Sequence, residues 1–388
     1  MVTTGLERVL REPELLARSG NLALLYNQAS VNSALLPAAD LLNRAFPGRL
    51  KVLFGPQHGF AGTEQANMLE TGHGVHPYLG IPVYSLYSEI RKPTAPMLEN
   101  LDTVLVDIQD VGTRVYTYAT TVMHVMEACA EAGLGVVILD RPNPIGGREV
   151  EGNLLDPEYS SFVGPHPIPM RHGLTPGELM QLYNEEYNIG CRLSVVPMSG
   201  WDRNSYFDET GLPWVLPSPN MPWVETALVY PGQVILEGTN VSEGRGTTRP
   251  FEIFGAPYLE PKKLLEIVER DALTGIALRE TGFVPTFDKW AEQICNGFQI
   301  HILDRKAYRP YRCSLALISA MVKLHPNEFQ WTQPPYEYVS DKLPVDIIIG
   351  DAGVRLGLEQ GRSILDMERE WEERLNEWLK VRSQFLLY

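Results

Sequence analysis

Short apolar runs alternate with dense polar clusters through the first part of the chain. Leu22–Tyr26 precedes Asn27-Gln28-Ala29-Ser30, and Val52–Phe54 precedes Gly55-Pro56-Gln57-His58-Gly59. Val83–Leu86 precedes Tyr87-Ser88-Glu89, Val104–Val106 precedes Asp107-Ile108-Gln109-Asp110, and Val136–Leu139 precedes Asp140-Arg141-Pro142-Asn143-Pro144. Apolar runs of this length separated by helix-compatible segments predict a parallel α/β sheet. The polar clusters then fall at the carboxyl ends of the strands, where open sheets of this kind bind ligands.

The pattern between and after these runs predicts the remaining elements. Ser33 followed by Leu35, Leu36, Ala39, Leu42 and Phe46 reads as a short amphipathic helix. Residues 55–81 read as a long functional loop. Tyr118–Ala132 reads as a helix stopped by Gly133. Thr175-Pro176-Gly177-Glu178 combines a capping box with proline at the first helical position. Leu193–Val196 and Ala227–Tyr230 read as further strands. After about Phe251, helices at Pro261–Ala272 and Tyr311–Leu324 flank a strand at Gly297–Leu303. Trp371, Leu375, Trp378 and Leu379 mark a terminal amphipathic helix. The expected fold is α/β: a Rossmann-like parallel-sheet domain over residues 1–250 that carries most of the site, with a smaller α+β domain over 251–388 closing the cleft.

Charge and composition narrow the function classes. A formal net charge of −15 with no basic stripe argues against a nucleic-acid partner, while local arginines leave room for a small anionic ligand. Cys129, Cys191, Cys295 and Cys313 are too scattered for a zinc knuckle or a disulfide framework, so free thiols are expected. Glu7, Arg8, Arg11, Glu12, Glu14 and Arg18 interrupt any apolar leader, and no apolar run approaches the roughly 20 residues of a membrane helix. A cytoplasmic protein is expected, or an exported one whose signal has been removed.

The chemistry begins with exclusions. The first strand is not followed by GxGxxG, and the chain has no Walker lysine loop, GxSxG elbow or HExxH pair, so no cofactor is expected. His58, His73, His76, Asp107 and Asp110 fall on top-edge loops and suit zinc by residue type. No tight pair of them sits on one regular element, so hydrogen bonding to loop backbone or ligand is the better reading and no metal is expected. The segment from Asp107 to Tyr118 gathers two carboxylates, Arg114, Tyr116 and Tyr118 at a strand end. Burying that many polar groups without partners is costly, which favours a functional cluster over a merely structural ion pair. Asp140-Arg141-Pro142-Asn143-Pro144 reads equally as a rigid turn fixed by its two prolines, with Asn143 the residue there suited to touch ligand. The Asn240–Arg249 run reads equally as a solvated loop, yet its Asn240, Glu243, Arg245 and Arg249 suit hydroxyl and carboxylate recognition, because arginine grips carboxylates in bidentate fashion.

Six strings carry a resemblance across nearly the whole chain: Gly55-Pro56-Gln57-His58-Gly59-Phe60, Pro82-Val83-Tyr84-Ser85-Leu86-Tyr87, Asp107-Ile108-Gln109-Asp110-Val111-Gly112, Leu139-Asp140-Arg141-Pro142-Asn143-Pro144, Pro217-Ser218-Pro219-Asn220-Met221-Pro222 and Leu236–Arg249. In these the chain resembles the exo-β-N-acetylmuramidase family, formerly a family of unknown function. The resemblance implies a Rossmann-like domain, a smaller C-terminal domain, and a cleft that takes a terminal N-acetylmuramic acid of peptidoglycan fragments. The family pattern has Pro-Glu-His-Gly where this chain has Gln57, and an amide cannot exchange the proton that a carboxyl does.

Glycoside hydrolysis needs a protonated acid and either a second carboxylate or the substrate's acetamido group. The expected catalytic residues are therefore Asp110 with Glu64 or Glu70, and Asp107 as a further acid. Arg114 and Arg245 are the candidates for the lactyl carboxylate. Tyr116, Tyr118, His172 and Asn240 are candidates for hydroxyl or acetamido contacts, with Gln57, His58, Asn143, Asn220 and Glu243 as further binding residues. Gln57, Asp110 and Asn143 are expected to line one pocket. Two other readings stand beside this one: a sugar-binding protein whose catalysis has lapsed, signalled by Gln57, and a metal-dependent hydrolase resting on the loop histidines.

Overall fold

The computed structural model describes residues 1–59, 62, 64 and 68–388. Phe60, part of one family-like string, lies outside the described residues. In chain order the strands are β1 (Leu22–Tyr26), β2 (Leu50–Gly55), β3 (Gly74–Val75), β4 (Pro82–Ser85), β5 (Thr103–Asp107), β6 (Gly135–Leu139), β7 (Glu151–Leu154), β8 (Pro169–Arg171), β9 (Arg192–Val196), β10 (Ile253–Ala256), β11 (Ile276–Phe283) and β12 (Cys295–Ile302). The α-helices are α1 (Gly5–Arg11), α2 (Ala38–Ala45), α3 (Tyr118–Ala132), α4 (Pro176–Glu186), α5 (Val224–Gln233), α6 (Pro261–Ile267), α7 (Pro310–Leu324), α8 (Pro344–Ile349), α9 (Ala352–Glu359) and α10 (Ile364–Arg382).

The main sheet runs β3-β4-β2-β1-β5-β6-β9, parallel throughout except for the short β3 edge. Its parallel strands follow the Rossmann order, with the topological switch between β1 and β5. Alternation along the strands explains why both faces are covered. Leu22, Leu24 and Tyr26 of β1 pack in one apolar cluster with Leu6 of α1 and Leu42 of α2. Ala23 and Leu25 pack in the other, with Val122 and Val125 of α3 and Leu179 of α4. Gly133 ends α3 in the left-handed conformation, and Thr175 caps α4 through the expected capping box.

The C-terminal part holds an antiparallel sheet, β10-β12-β11, with α6 against β12 and α7 packed on α6. Three boundaries differ from expectation. Ala227–Tyr230 is not a strand but the middle of α5, because a short buried apolar run has no period of its own to separate strand from helix. α5 lies hard against α7: a Cβ on Gly232 would stand 1.9 Å from the Pro310 carbonyl oxygen. α2 starts at Ala38 rather than near Ser33, since a bridge between Val31 and Pro37 holds the preceding turn. The helix expected over Pro261–Ala272 breaks at Ile267 and resumes as a 3-10 turn at Arg270–Leu273.

Candidate active site

The switch point itself is plugged. The Pro217 carbonyl accepts hydrogen bonds from Asn27 Nδ2 after β1, at 3.3 Å, and from the Tyr118 hydroxyl at 2.7 Å. This anchors the 214–222 segment over the crevice and leaves a pocket beside it. Gln57 and His58 come from the turn after β2, Tyr116, Thr117 and Tyr118 from the start of α3, and Asn220 and Met221 from the anchored segment. Tyr230, Glu237, Arg245 and Phe251 close it from the far side, and Tyr336 and Glu337 enter from the connection between α7 and α8.

Glu337 is a buried acid of this pocket with two side-chain donors. The Tyr87 hydroxyl donates to its Oε2 at 3.0 Å, and Gln57 Nε2 donates to its Oε1 at 3.4 Å. Burial pushes its carboxyl up to about 7, and the nearby Glu237 adds to that against the opposing hydrogen bonds from Tyr87 and Gln57. Thr117 Oγ1 donates to Gln57 Oε1 at 2.6 Å, which orients the amide so that its N–H₂ faces Glu337. Glu337 and Tyr338 have positive φ, 42° and 69°, and His58 has 70°. Strained non-glycine backbone gathered at one cleft is a mark of a functional site.

Glu237 is held differently. Arg245 Nη2 donates to its Oε1 at 2.6 Å and the Tyr336 hydroxyl to its Oε2 at 2.7 Å. Arg245 Nε also donates to Glu243 at 3.0 Å, and Lys289 donates to the other oxygen of Glu243 at 2.9 Å. The result is an alternating chain of charges in which each partner is compensated. His58 Nδ1 donates to the Glu64 carbonyl at 2.7 Å, so Nε2 is its lone-pair side; burial pushes the imidazole down to about 4 and keeps it neutral.

The structure brings together some of the expected residues and separates others. Gln57, His58, Tyr116, Tyr118, Asn220 and Arg245 line the pocket. Asp110 and Asn143 share the carboxyl edge of the sheet with Gln57 but, both buried, do not line the pocket. Asp110 Oδ1 accepts the Gly112 N–H at 2.6 Å and its carboxyl is pushed up to about 7 by burial. Asn143 bonds Leu174 O and Ile145 N and packs so close to Gly112, at φ 77°, that a Cβ there would meet its side chain at 2.4 Å. Both Asp107 oxygens are taken by Arg141, at 2.6 and 2.8 Å.

Glu64 contributes its carbonyl to His58, and Glu70 is exposed at the rim beside Arg91. Arg114 is buried and spends its guanidinium on the carbonyls of Asn153, Ile168, Ile348 and Ile349. His172 accepts the Leu174 N–H in the interior, Asn240 holds Glu328 O and Gln330 N, and Glu243 supports Arg245 from behind. His73 accepts the N–H of Ser85 at the end of β4, and His76 that of Leu79 in the preceding loop. No group of three or more metal-ligating side chains occurs among the described residues. Glu337, Glu237, Tyr230 and Tyr336 escaped the sequence reading. Their signals were Pro334-Pro335-Tyr336-Glu337-Tyr338, an aromatic-flanked acid in a long helix–helix connection, and Glu237 at the head of the polar run.

Family models described as the exo-β-N-acetylmuramidase NamZ N-terminal and C-terminal regions match residues 22–225 and 228–388. The chain belongs to the NamZ family. It is 42% identical over 387 residues to the peptidoglycan β-N-acetylmuramidase NamZ of Bacillus subtilis (strain 168), covering 100% of this chain and 91% of that protein. Two DUF1343 family structures from Bacteroides fragilis NCTC 9343 superpose with TM-scores of 0.88 and 0.78, at 32% and 28% identity, each covering 100% of this chain and 99% of the other. The pocket draws Gln57 to Met221 from the NamZ N-terminal region and Tyr230 to Glu337 from the C-terminal region, so both regions are needed to complete it.

Proposed function

We propose that the protein is an exo-acting glycoside hydrolase that removes terminal N-acetylmuramic acid from peptidoglycan fragments, with Glu337 as the proton donor. The observation that carries this reading is a buried carboxyl, pushed up to about 7, in a pocket whose other acid is held by a guanidinium and a phenol. Hydrolysis of a glycoside needs one carboxyl that arrives protonated at the leaving oxygen. Glu337 meets that need at neutral pH. Glu237, presented by Arg245 and Tyr336, is the group placed to face positive charge developing on the sugar. His58 Nε2 accepts a sugar hydroxyl, and Asn220 supplies an amide at the pocket wall.

Arg245 Nη1 makes no hydrogen bond among the described residues, while Nε and Nη2 are engaged by Glu243 and Glu237. It is the donor assigned to the lactyl carboxylate. A matched disaccharide ending in N-acetylglucosamine, which lacks that carboxylate, should lose roughly tenfold or more in kcat/KM, the effect of one charge-assisted hydrogen bond. Equal turnover of the two disaccharides would remove Arg245 from that role. Release of free N-acetylmuramic acid from the muramyl disaccharide, followed by chromatography, is the primary test of the activity.

The lapsed-enzyme reading has Gln57 in its favour; that residue's hydrogen bond to Glu337 supports a tuning role instead. Its N–H₂ favours the ionised form of Glu337. Gln57→Glu would place a second carboxyl within hydrogen-bond range, and two such groups resist holding two charges. The alkaline limb of kcat/KM should therefore move upward by about one pH unit or more. An unmoved limb would separate residue 57 from the proton donor.

A further inference from the structure

We infer that Tyr338 forms a second subsite outside the enclosed pocket, a platform for the neutral amino sugar on the leaving side of the scissile bond. The inference rests on Glu337 being the proton donor. A general acid sits between the sugar that is released and the residue that leaves, so an aromatic ring beside it on the open side meets the leaving residue. Tyr338 follows Glu337 directly, stands outside the pocket lining, and is 53% exposed. The Arg91 guanidinium carbon lies 3.3 Å from its ring centroid and covers one face. With that face covered, the exposure belongs to the opposite face and the edge.

The ring is held in place rather than free to swing. Tyr336 and Val339 exchange two backbone hydrogen bonds of 2.9 Å, closing a tight turn in which both intervening residues have positive φ. Tyr87, whose hydroxyl donates to Glu337 Oε2, packs its ring 6.2 Å from that of Tyr338 and so links platform to acid. Glu70 braces the outer side, 3.4 Å from Arg91 and 3.5 Å from the Tyr338 hydroxyl. Exposed Met68 adds apolar surface beside the turn, its Sδ accepting the Glu337 N–H with the nitrogen 3.4 Å away. Such a surface matches the C–H-rich face of a pyranose, which covers apolar area and stacks on an aromatic ring without needing charge.

Tyr338→Ala and Tyr338→Phe, assayed on the muramyl–N-acetylglucosamine disaccharide and on methyl β-N-acetylmuraminide, test the platform. For the disaccharide, Tyr338→Ala should lower kcat/KM by about three- to tenfold, the range of one aromatic contact. The methyl glycoside, which has no leaving sugar, should stay within about twofold, and Tyr338→Phe should behave as wild type on both. An equal change on the two substrates, or none on the disaccharide, overturns the subsite. Glu337→Gln assayed in parallel separates the failures. If it is inactive while Tyr338→Ala is unselective, the platform alone is wrong; if it retains turnover, the acid assignment falls and takes the platform with it.

Discussion

Glu337→Gln is expected to lower kcat/KM for release of N-acetylmuramic acid by about 10²–10⁴-fold, the usual loss on removing a general acid, while the protein stays folded. The substitution keeps shape and one acceptor, for the Tyr87 hydroxyl; the transferable proton is lost, together with the weaker 3.4 Å contact that Gln57 Nε2 makes to the other oxygen. The pH profile gives the same assignment an independent readout. Burial first, and then the neighbouring Glu237, raise the Glu337 carboxyl to about 7 against the hydrogen bonds from Tyr87 and Gln57. Because the acid works only when protonated, kcat/KM of the free enzyme should be sustained below that value and fall as pH rises through about 7. The residual activity of Glu337→Gln should lack this limb. A variant with full turnover, or a wild-type rate that climbs through neutrality, would remove Glu337 from catalysis.

The residues that were legible in the sequence and those that were not differ in how locally their surroundings are encoded. Strand ends were readable because β1, β2, β4, β5 and β6 each couple a buried run to a polar cluster, and the Rossmann order then gathers those clusters on one edge. Gln57, His58, Tyr116 and Tyr118 sit directly on that edge. Glu337 gave no such signal: it meets Gln57 across 280 positions of chain, from a connection between helices whose turn geometry has no periodic trace. Asp110 and Asp107 looked catalytic for a converse reason. Polar density at a strand end is shared by groups that face the ligand and by groups that hold the edge together, and only packing separates them. Ala227–Tyr230 was misread because four buried apolar residues suit either a strand or one turn of a buried helix.

Asp107→Asn is therefore expected to act on stability rather than on proton transfer, with a loss of about 3–5 kcal/mol, the cost of breaking a buried ion pair by removing one partner. Asp107 is fully buried at the end of β5, and Arg141, itself buried, donates to both of its oxygens. Burial pushes the Asp107 carboxyl up and the guanidinium beside it pulls it down, but the bidentate contact is that of an ion pair. An amide in its place leaves the Arg141 charge buried and uncompensated. Arg141 also donates to the Val31 carbonyl, while Ser30 Oγ donates to the Asp107 carbonyl oxygen, so the loop after β1 is tied to the same pair. Chemical unfolding should show the stability loss directly. In the fraction that remains folded, the fall of kcat/KM near pH 7 should persist, because Glu337 and its hydrogen-bond partners are untouched. Loss of that limb in Asp107→Asn, with stability near that of wild type, would return the proton transfer to the β5 edge and displace Glu337 from it.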